Sequence, residues 1–253
     1  MLYSRGHAFI YSQLNRTGSS STGLYLRQFC GPDFTPTTPW TPEIISNSGV
    51  VGRVGARETF TVEPRFQVHM ALDAMHAGLG AEIWDRCAIV SNMRNPYTRT
   101  MSIRNVWERQ GRIEASEDAD VVRGQIDAMD IEGMGLRTRE LTHLDGRYAL
   151  THILFTETLE GDLQALAADR GLTPPHPSRP RLQSNENALK SRHPGEFISP
   201  DARRRIEAAY GWIFDLYGYS RHPDDALQPP ACRQAGWSGP TDGLATFQRE
   251  GQI

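Results

Sequence analysis

The sequence predicts an α/β domain with a central parallel sheet flanked by helices, and three of its features do so. Two short apolar runs, residues 8–13 and 87–93, each pass directly into a turn and then into a segment of helical periodicity. Nearer the C-terminus, a third helical pattern is bracketed by Ser199-Pro200 at its start and Gly218 at its end. Strands that alternate with helices in this way build a parallel sheet with helices on its faces.

The first run, AFIYSQ, is bounded by Gly6 and a Gly/Ser turn and reads as a buried strand. From Ser21 or Thr22 the spacing of Leu24, Tyr25, Leu26 and Phe29 predicts a helix ended by Gly31-Pro32. Residues 32–64, rich in Pro, Thr, Ser and Gly, read as loop and edge structure with short strands at EIIS and GVVGRV. A helix is expected over 67–79, closed by Gly80, and then CAIVSNM (87–93) gives the second buried strand. Pro96 cannot continue that strand, so the chain turns and becomes helical over 98–110. Residues 112–142 are polar, with helical spacing at Val122, Ile126 and Met129, and are expected to form a mobile flap. Leu159, Leu163 and Leu166 share one face of a helix stopped by Gly171, a proline-rich loop follows at 173–181, and Ile206, Tyr210, Ile213 and Tyr217 stripe the last helix. One domain is expected over 1–220, and 221–253, with its Pro, Gly and isolated Trp237 and Phe247, as an arm or tail.

Composition narrows the function. A net charge of -3 offers no surface for a polyanion, which excludes nucleic acid as the first partner to consider. Lys190 is the only lysine, so a cation that holds an anion must be an arginine unless Lys190 serves. Cys30, Cys87 and Cys232 lie far apart with no paired spacing, which implies neither a disulfide framework nor a zinc site. The first residues are too polar for a signal segment and no apolar run reaches membrane-spanning length, so a cytoplasmic location is expected.

Chemistry concentrates in two turns. Between the first strand and its helix, Arg16, Thr17, Gly18, Ser19, Ser20, Ser21 and Thr22 place hydroxyls and backbone N–H groups at the positive end of a helix dipole. Such a turn cradles anions, although a plain polar β-α turn has the same composition. It lacks the lysine of a Walker A loop, which argues against ATP or GTP hydrolysis. After the second strand comes Arg94, with Ser102 eight residues on, where a strand's carboxyl end meets the ligand crevice of an open α/β sheet. Two anion sites suit a nucleoside with phosphates at separate positions; surface ion pairing by Arg94 and Arg99 is the other reading.

Together these segments resemble the sulfotransferases that use 3'-phosphoadenosine 5'-phosphosulfate, especially the branch acting on carbohydrates. LNRTGSSST is similar to that family's 5'-phosphosulfate loop, IVSNMRNPYTRTMSIRNVW to its 3'-phosphate block, and FISPDARRRIEAAYGWIFDLYGY to its closing helix. Asn15 stands where proline is usual, Arg16 replaces the commoner lysine, and the segment before Glu157 lacks an arginine often found there. The resemblance implies a P-loop-like three-layer fold and transfer of a sulfuryl group to a hydroxyl or amine of a glycan or small metabolite. By the same likeness Arg16 to Thr22 hold the phosphosulfate, Arg94 and Ser102 hold the 3'-phosphate, and Arg16 also stabilises the leaving oxygen.

An alcohol acceptor needs a base, and the resemblance points to His69, whose ordinary pKa suits proton abstraction near neutrality. Capping or packing of its helix is the competing reading, with Glu58 and Glu63 as fallback bases. His76, seven residues on, has the wrong spacing for a metal pair, and no metal is expected. Trp84, Trp107 and Trp212 are either stacking surfaces for adenine or sugar or simply buried. Two rival functions share these residues: a catalytically silent nucleotide-binding module and a small-molecule kinase. Oligomeric state is not encoded in any pattern found.

Overall fold

The computed structural model describes residues 1–31, 42–55, 63–173 and 192–237. Glu58, Lys190, Phe247 and nearly all of the expected proline-rich loop lie outside the described residues. In chain order the elements are β1 (Leu2–Ser4), β2 (Phe9–Ser12), α1 (Ser19–Arg27), β3 (Ile44–Ser46), β4 (Gly49–Val51), α2 (Leu72–Leu79), α3 (Ala81–Trp84), β5 (Ala88–Met93), α4 (Pro96–Arg109), α5 (Ala119–Asp127), α6 (Ile131–Glu140), β6 (His143–Leu144), β7 (Arg147–Tyr148), β8 (His152–Phe155), α7 (Leu159–Arg170), α8 (Pro200–Tyr217) and α9 (Ala231–Gln234). Contacts divide them into two compact units, residues 1–93 with 138–173, and residues 94–137 with 192–237, where the sequence pointed to one domain and a tail.

The first unit holds a six-stranded sheet in the order β3-β4-β1-β2-β5-β8. Only β2, β5 and β8 run parallel, with Tyr11 opposite Val90 and Ser91 opposite Ile153. On the other side β1 pairs antiparallel with both β2 and β4, and β3 closes that edge. The expected parallel sheet is present as β2, β5 and β8, within a sheet that as a whole is mixed. The reason is local: residues 2–12 double back as a hairpin, and a second hairpin at 44–51 extends it, because short turns join neighbouring strands only antiparallel. One face of the sheet, with Phe9, Tyr11, Val90 and Leu154, packs under Leu26 and Phe29 of the α1 segment and Leu159, Leu163 and Leu166 of α7.

Two helix expectations in this unit shift. α1 starts at Ser19, two or three residues early, because Gly18 at φ 76 turns the chain directly into the helix. α2 starts at Leu72 instead of 67, because residues 66–68 are committed to the end of the sheet: Arg53 N–H donates to Phe66 O and Val68 N–H to Arg53 O, both 2.9 Å. His69 thus precedes the helix and shares no face with His76.

In the second unit, α4 packs against α5 and α8. Residues 112–142, expected as a flap, contain α5 and α6, with Val122, Ile126, Met129 and Ile131 buried. Arg104 explains much of this, since its fully buried guanidinium donates to Gln125 Oε1 (2.6 and 2.9 Å) and Ser116 O (3.4 Å) and pairs with Glu108. Removal of a charge from water is tolerated only with partners of this kind. α8 follows the sequence reading: Ser199 Oγ accepts from Ala202 N–H (3.0 Å), Pro200 takes the first turn, and Gly218 at φ 70 ends it. Within the expected tail, residues 221–237 carry α9 and bury Ala226, Cys232 and Trp237, with the Arg233 guanidinium over the indole. No helix among the described residues is long and apolar enough to cross a membrane.

Gly49, at φ 152, tests the antiparallel half of the sheet. A Cβ there would lie 2.0 Å from the Tyr3 carbonyl oxygen. Gly49→Ala is expected to lower stability by at least about 2 kcal/mol, read as a lower urea midpoint. An unchanged midpoint contradicts the β1–β4 pairing.

Candidate functional site

Polarity is distributed unevenly along the two parallel strands β2 and β5. Their amino-terminal parts are apolar, with Phe9 and Ile10 in β2 and Ala88, Ile89 and Val90 in β5. At the carboxyl ends stand Ser12, Gln13, Ser91 and Asn92, all at most 4 % exposed. Buried polar groups persist only where they are hydrogen-bonded, and the carboxyl ends of parallel strands are where such sheets hold ligands.

These residues hold the turn from β2 into α1. Asn92 Oδ1 accepts from the Tyr11 hydroxyl, and Asn92 Nδ2 donates to Thr22 Oγ1 at 3.2 Å. Burial raises the Tyr11 pKa well above its ordinary value, so the hydroxyl remains a donor. Gln13 Nε2 donates to Ser19 O at 3.2 Å. The Thr17 hydroxyl donates to Leu14 O at 2.8 Å, and the Thr156 hydroxyl, just past β8, sits 2.9 Å from Thr17 O and 3.0 Å from Met93 O. On the sheet's opposite face, Ser91 Oγ donates to Ser12 O and Ser12 Oγ to Leu141 O, both 2.8 Å.

Two residues of the turn have left-handed backbones, Arg16 at φ 62 and Gly18 at φ 76. Gly18 adopts this freely, whereas Arg16 does so at a cost of about 1–2 kcal/mol. The conformation directs the first N–H groups of α1, which have no partner within a helix, to one end of its dipole. No acidic residue lies in the first turn of α1, and Gly18 has no side chain to cap it. A helix start of this kind is chemically suited to an anion. Arg16 and Ser20 are half-buried and Gly18 exposed, while Thr17, Ser19, Ser21 and Thr22 are buried. The Thr17 hydroxyl is committed to the turn itself and the Thr22 oxygen to Asn92.

His69 belongs to this site. Its Nδ1 lies 2.6 Å from the carbonyl oxygen of Gln13, the first residue of the turn. A carbonyl only accepts, so Nδ1 carries the proton and Nε2 is the basic nitrogen of the neutral ring. His69 is also left-handed, at φ 54. Of the four non-glycine residues in that region among the described residues, Ala8 and Asp145 being the others, two are the residues expected to be catalytic.

Arg94 and Ser102 belong to the second unit. The turn that begins α4 is well defined: Asn95 Oδ1 accepts from Tyr97 N–H at 2.9 Å with Pro96 next. Arg94 is half-buried and its Nε donates to Thr98 Oγ1 at 3.0 Å. Ser102 lies inside α4, 2 % exposed. Arg99 does not lie on the surface, being 3 % exposed with its guanidinium 5.7 Å from the Tyr210 ring centre. Trp84 is buried edge-on to His76 (5.3 Å), and Trp107 and Trp212 are half-buried. Glu63 is exposed. Among the described residues no three His, Cys, Asp or Glu side chains cluster as a metal site.

No family model, no curated protein and no solved structure matches the chain. The likeness to sulfotransferases therefore stands on its three motifs.

Tyr11, Gln13, Asn92 and Thr156 escaped the sequence reading. One signal was present: Asn92, with Ser91, is polar in an otherwise apolar buried strand, and it lies on the same face as Val90. Tyr11→Phe is expected to cost about 1–3 kcal/mol, because it strands the buried Asn92 carbonyl oxygen. A double-mutant cycle with Asn92→Leu, followed by urea denaturation, should show clearly less than additive losses.

Proposed function

We propose that this chain is a sulfotransferase that moves a sulfuryl group from 3'-phosphoadenosine 5'-phosphosulfate to a hydroxyl or amine of a glycan or small metabolite. The observation that carries the reading is the bond from His69 Nδ1 to Gln13 O. It joins a base of defined tautomer to the first residue of an anion-binding turn, across 56 positions of sequence.

The turn suits the donor on chemical grounds. Backbone N–H groups at the start of α1 and the Arg16 guanidinium offer positive charge, and no carboxylate in the first turn opposes it. When bound, the donor supplies a sulfuryl group whose S–O bond to phosphate breaks as the acceptor's oxygen or nitrogen bonds to sulfur. His69 Nε2 takes the proton that the acceptor loses. Arg16 and the N–H groups of the turn neutralise the negative charge that gathers on the departing phosphate oxygen. Thr17 and Thr22 keep the turn in shape, and Arg94 with Ser102 are assigned to the 3'-phosphate.

Incubation with radiolabelled donor and a panel of glycans and metabolites tests the reading. His69→Ala is expected to lower turnover by about 10²–10⁴-fold and to leave the affinity for adenosine 3',5'-bisphosphate within about twofold. Arg16→Ala should cost about 10²–10³-fold in turnover. In calorimetry, Arg94→Ala should weaken adenosine 3',5'-bisphosphate more than adenosine 5'-monophosphate. Equal or tighter binding of ATP, with no transfer to any acceptor, overturns the proposal in favour of a kinase or a silent nucleotide-binding module.

A further inference from the structure

One hydroxyl beside the anion-binding turn has two acceptors and a single proton. Thr156, half-buried, follows β8 directly, and its Oγ1 lies 2.9 Å from Thr17 O and 3.0 Å from Met93 O, the carbonyl at the end of β5. Carbonyl oxygens only accept, so the hydroxyl is the donor and shares its proton between them. Its own place is fixed. Met93 is paired with Phe155, whose N–H donates to Asp162 Oδ2 at 2.7 Å, and the Thr158 hydroxyl donates to the same oxygen at 3.0 Å. Asp162 is 5 % exposed, so Thr156 opens a short helical turn, Thr156–Thr158, that is held from within.

What this hydroxyl controls is the peptide between Thr17 and Gly18. In a trans peptide the C=O and N–H point in opposite directions, so a Thr17 oxygen held against Thr156 sends the Gly18 N–H to the far side. Gly18 is left-handed (φ 76, ψ 4) and Ser19 opens the right-handed α1. Successive residues of opposite hand make a concavity in which neighbouring N–H groups, here those of Gly18, Ser19 and Ser20, converge on an anion. The backbone alone does not hold this state. Glycine takes either sign of φ with nearly equal ease, and a half-turn of the peptide plane would put the Thr17 oxygen where the Gly18 N–H stands, facing the anion with an acceptor. The same segment also lies against Gly18 itself, since a Cβ there would be 3.3 Å from Leu159 Cδ2.

We propose that Thr156 is a positioning residue for anion binding: its hydroxyl locks the Thr17–Gly18 peptide so that the Gly18 N–H joins the donors around a tetrahedral oxyanion. It acts through the peptide and touches neither donor nor acceptor. The proposal rests on the sulfotransferase reading for the identity of the anion, as the 5'-phosphosulfate, whereas the lock requires only an oxyanion in the turn.

Amide NMR of the full chain tests it, with sodium sulfate and adenosine 3',5'-bisphosphate titrated separately. In the parent chain each should move the Gly18 amide proton downfield, as a charge-assisted hydrogen bond does. Thr156→Val, which keeps the shape and removes the hydroxyl, should weaken sulfate about tenfold and abolish the Gly18 shift, and Thr156→Ala, which adds no bulk, should do the same. Thr156→Ser, which keeps the hydroxyl, should bind as the parent does. A role confined to stability would lower the urea midpoint of the valine and alanine variants and leave sulfate affinity and the Gly18 shift unchanged, and that result overturns the proposal. So does a serine variant as weak as the valine one, or a parent chain in which neither probe moves Gly18. If sulfate follows the expected pattern and the bisphosphate does not bind, the lock stands and the sulfotransferase reading falls. If the bisphosphate binds while the Gly18 signal stays in place, the lock falls and that reading stands.

Discussion

The turn between β2 and α1 sets the terms for its surroundings. Six positions, 13–18, must end a buried strand and launch a helix, and two of them do so through left-handed backbone at Arg16 and Gly18. An arginine remains in that conformation only if neighbouring groups over-determine it. Here the Thr17–Leu14 bond closes the turn from within, Thr156 ties it to the end of β5, and Gln13 ties its start to the first residue of α1. The Tyr11–Asn92–Thr22 chain then fastens α1 to two strands at once.

This arrangement costs burial of polar groups that would otherwise face water, and the cost is met largely by mutual satisfaction, with Gln13 Oε1 left buried without a hydrogen-bond partner. An unpaired buried amide or hydroxyl is worth about 1–3 kcal/mol of instability, so a network of this density is stable only when its members are present together. The same logic places His69. Its backbone follows a stretch captured by Arg53, its own φ is positive, and its ring is held by the carbonyl of Gln13. A histidine on a regular helix, as the periodicity of 67–79 suggested, would have more rotamer freedom and no fixed tautomer.

Legibility varied with the range of the forces involved. The helices with complete start and stop chemistry, α4 and α8, fall close to the positions read from Pro96, Ser199, Pro200 and Gly218, because caps act over a few residues. The strands 9–12 and 88–93 were visible as apolar runs. The start of α2 was not, since the pull of Arg53 on residues 66–68 comes from 13 or more positions away and overrides local preference. β1, only three residues long, carries no pattern that distinguishes it from loop. Residues 112–142 looked polar enough for a flap, yet α5 is organised in part around Arg104, whose burial no linear pattern announces.

By itself, then, the amino-acid order determined the alternation of strand and helix, the Gly/Ser turn with its anion-binding chemistry, and which residues were worth watching. Tertiary structure decided that half of the sheet is antiparallel and that His69 is anchored to Gln13. The division has a physical cause. Periodicity and capping are local energies that a short window of sequence contains, whereas a tautomer or a buried hydrogen bond is set by whichever distant atom the fold brings within 3 Å.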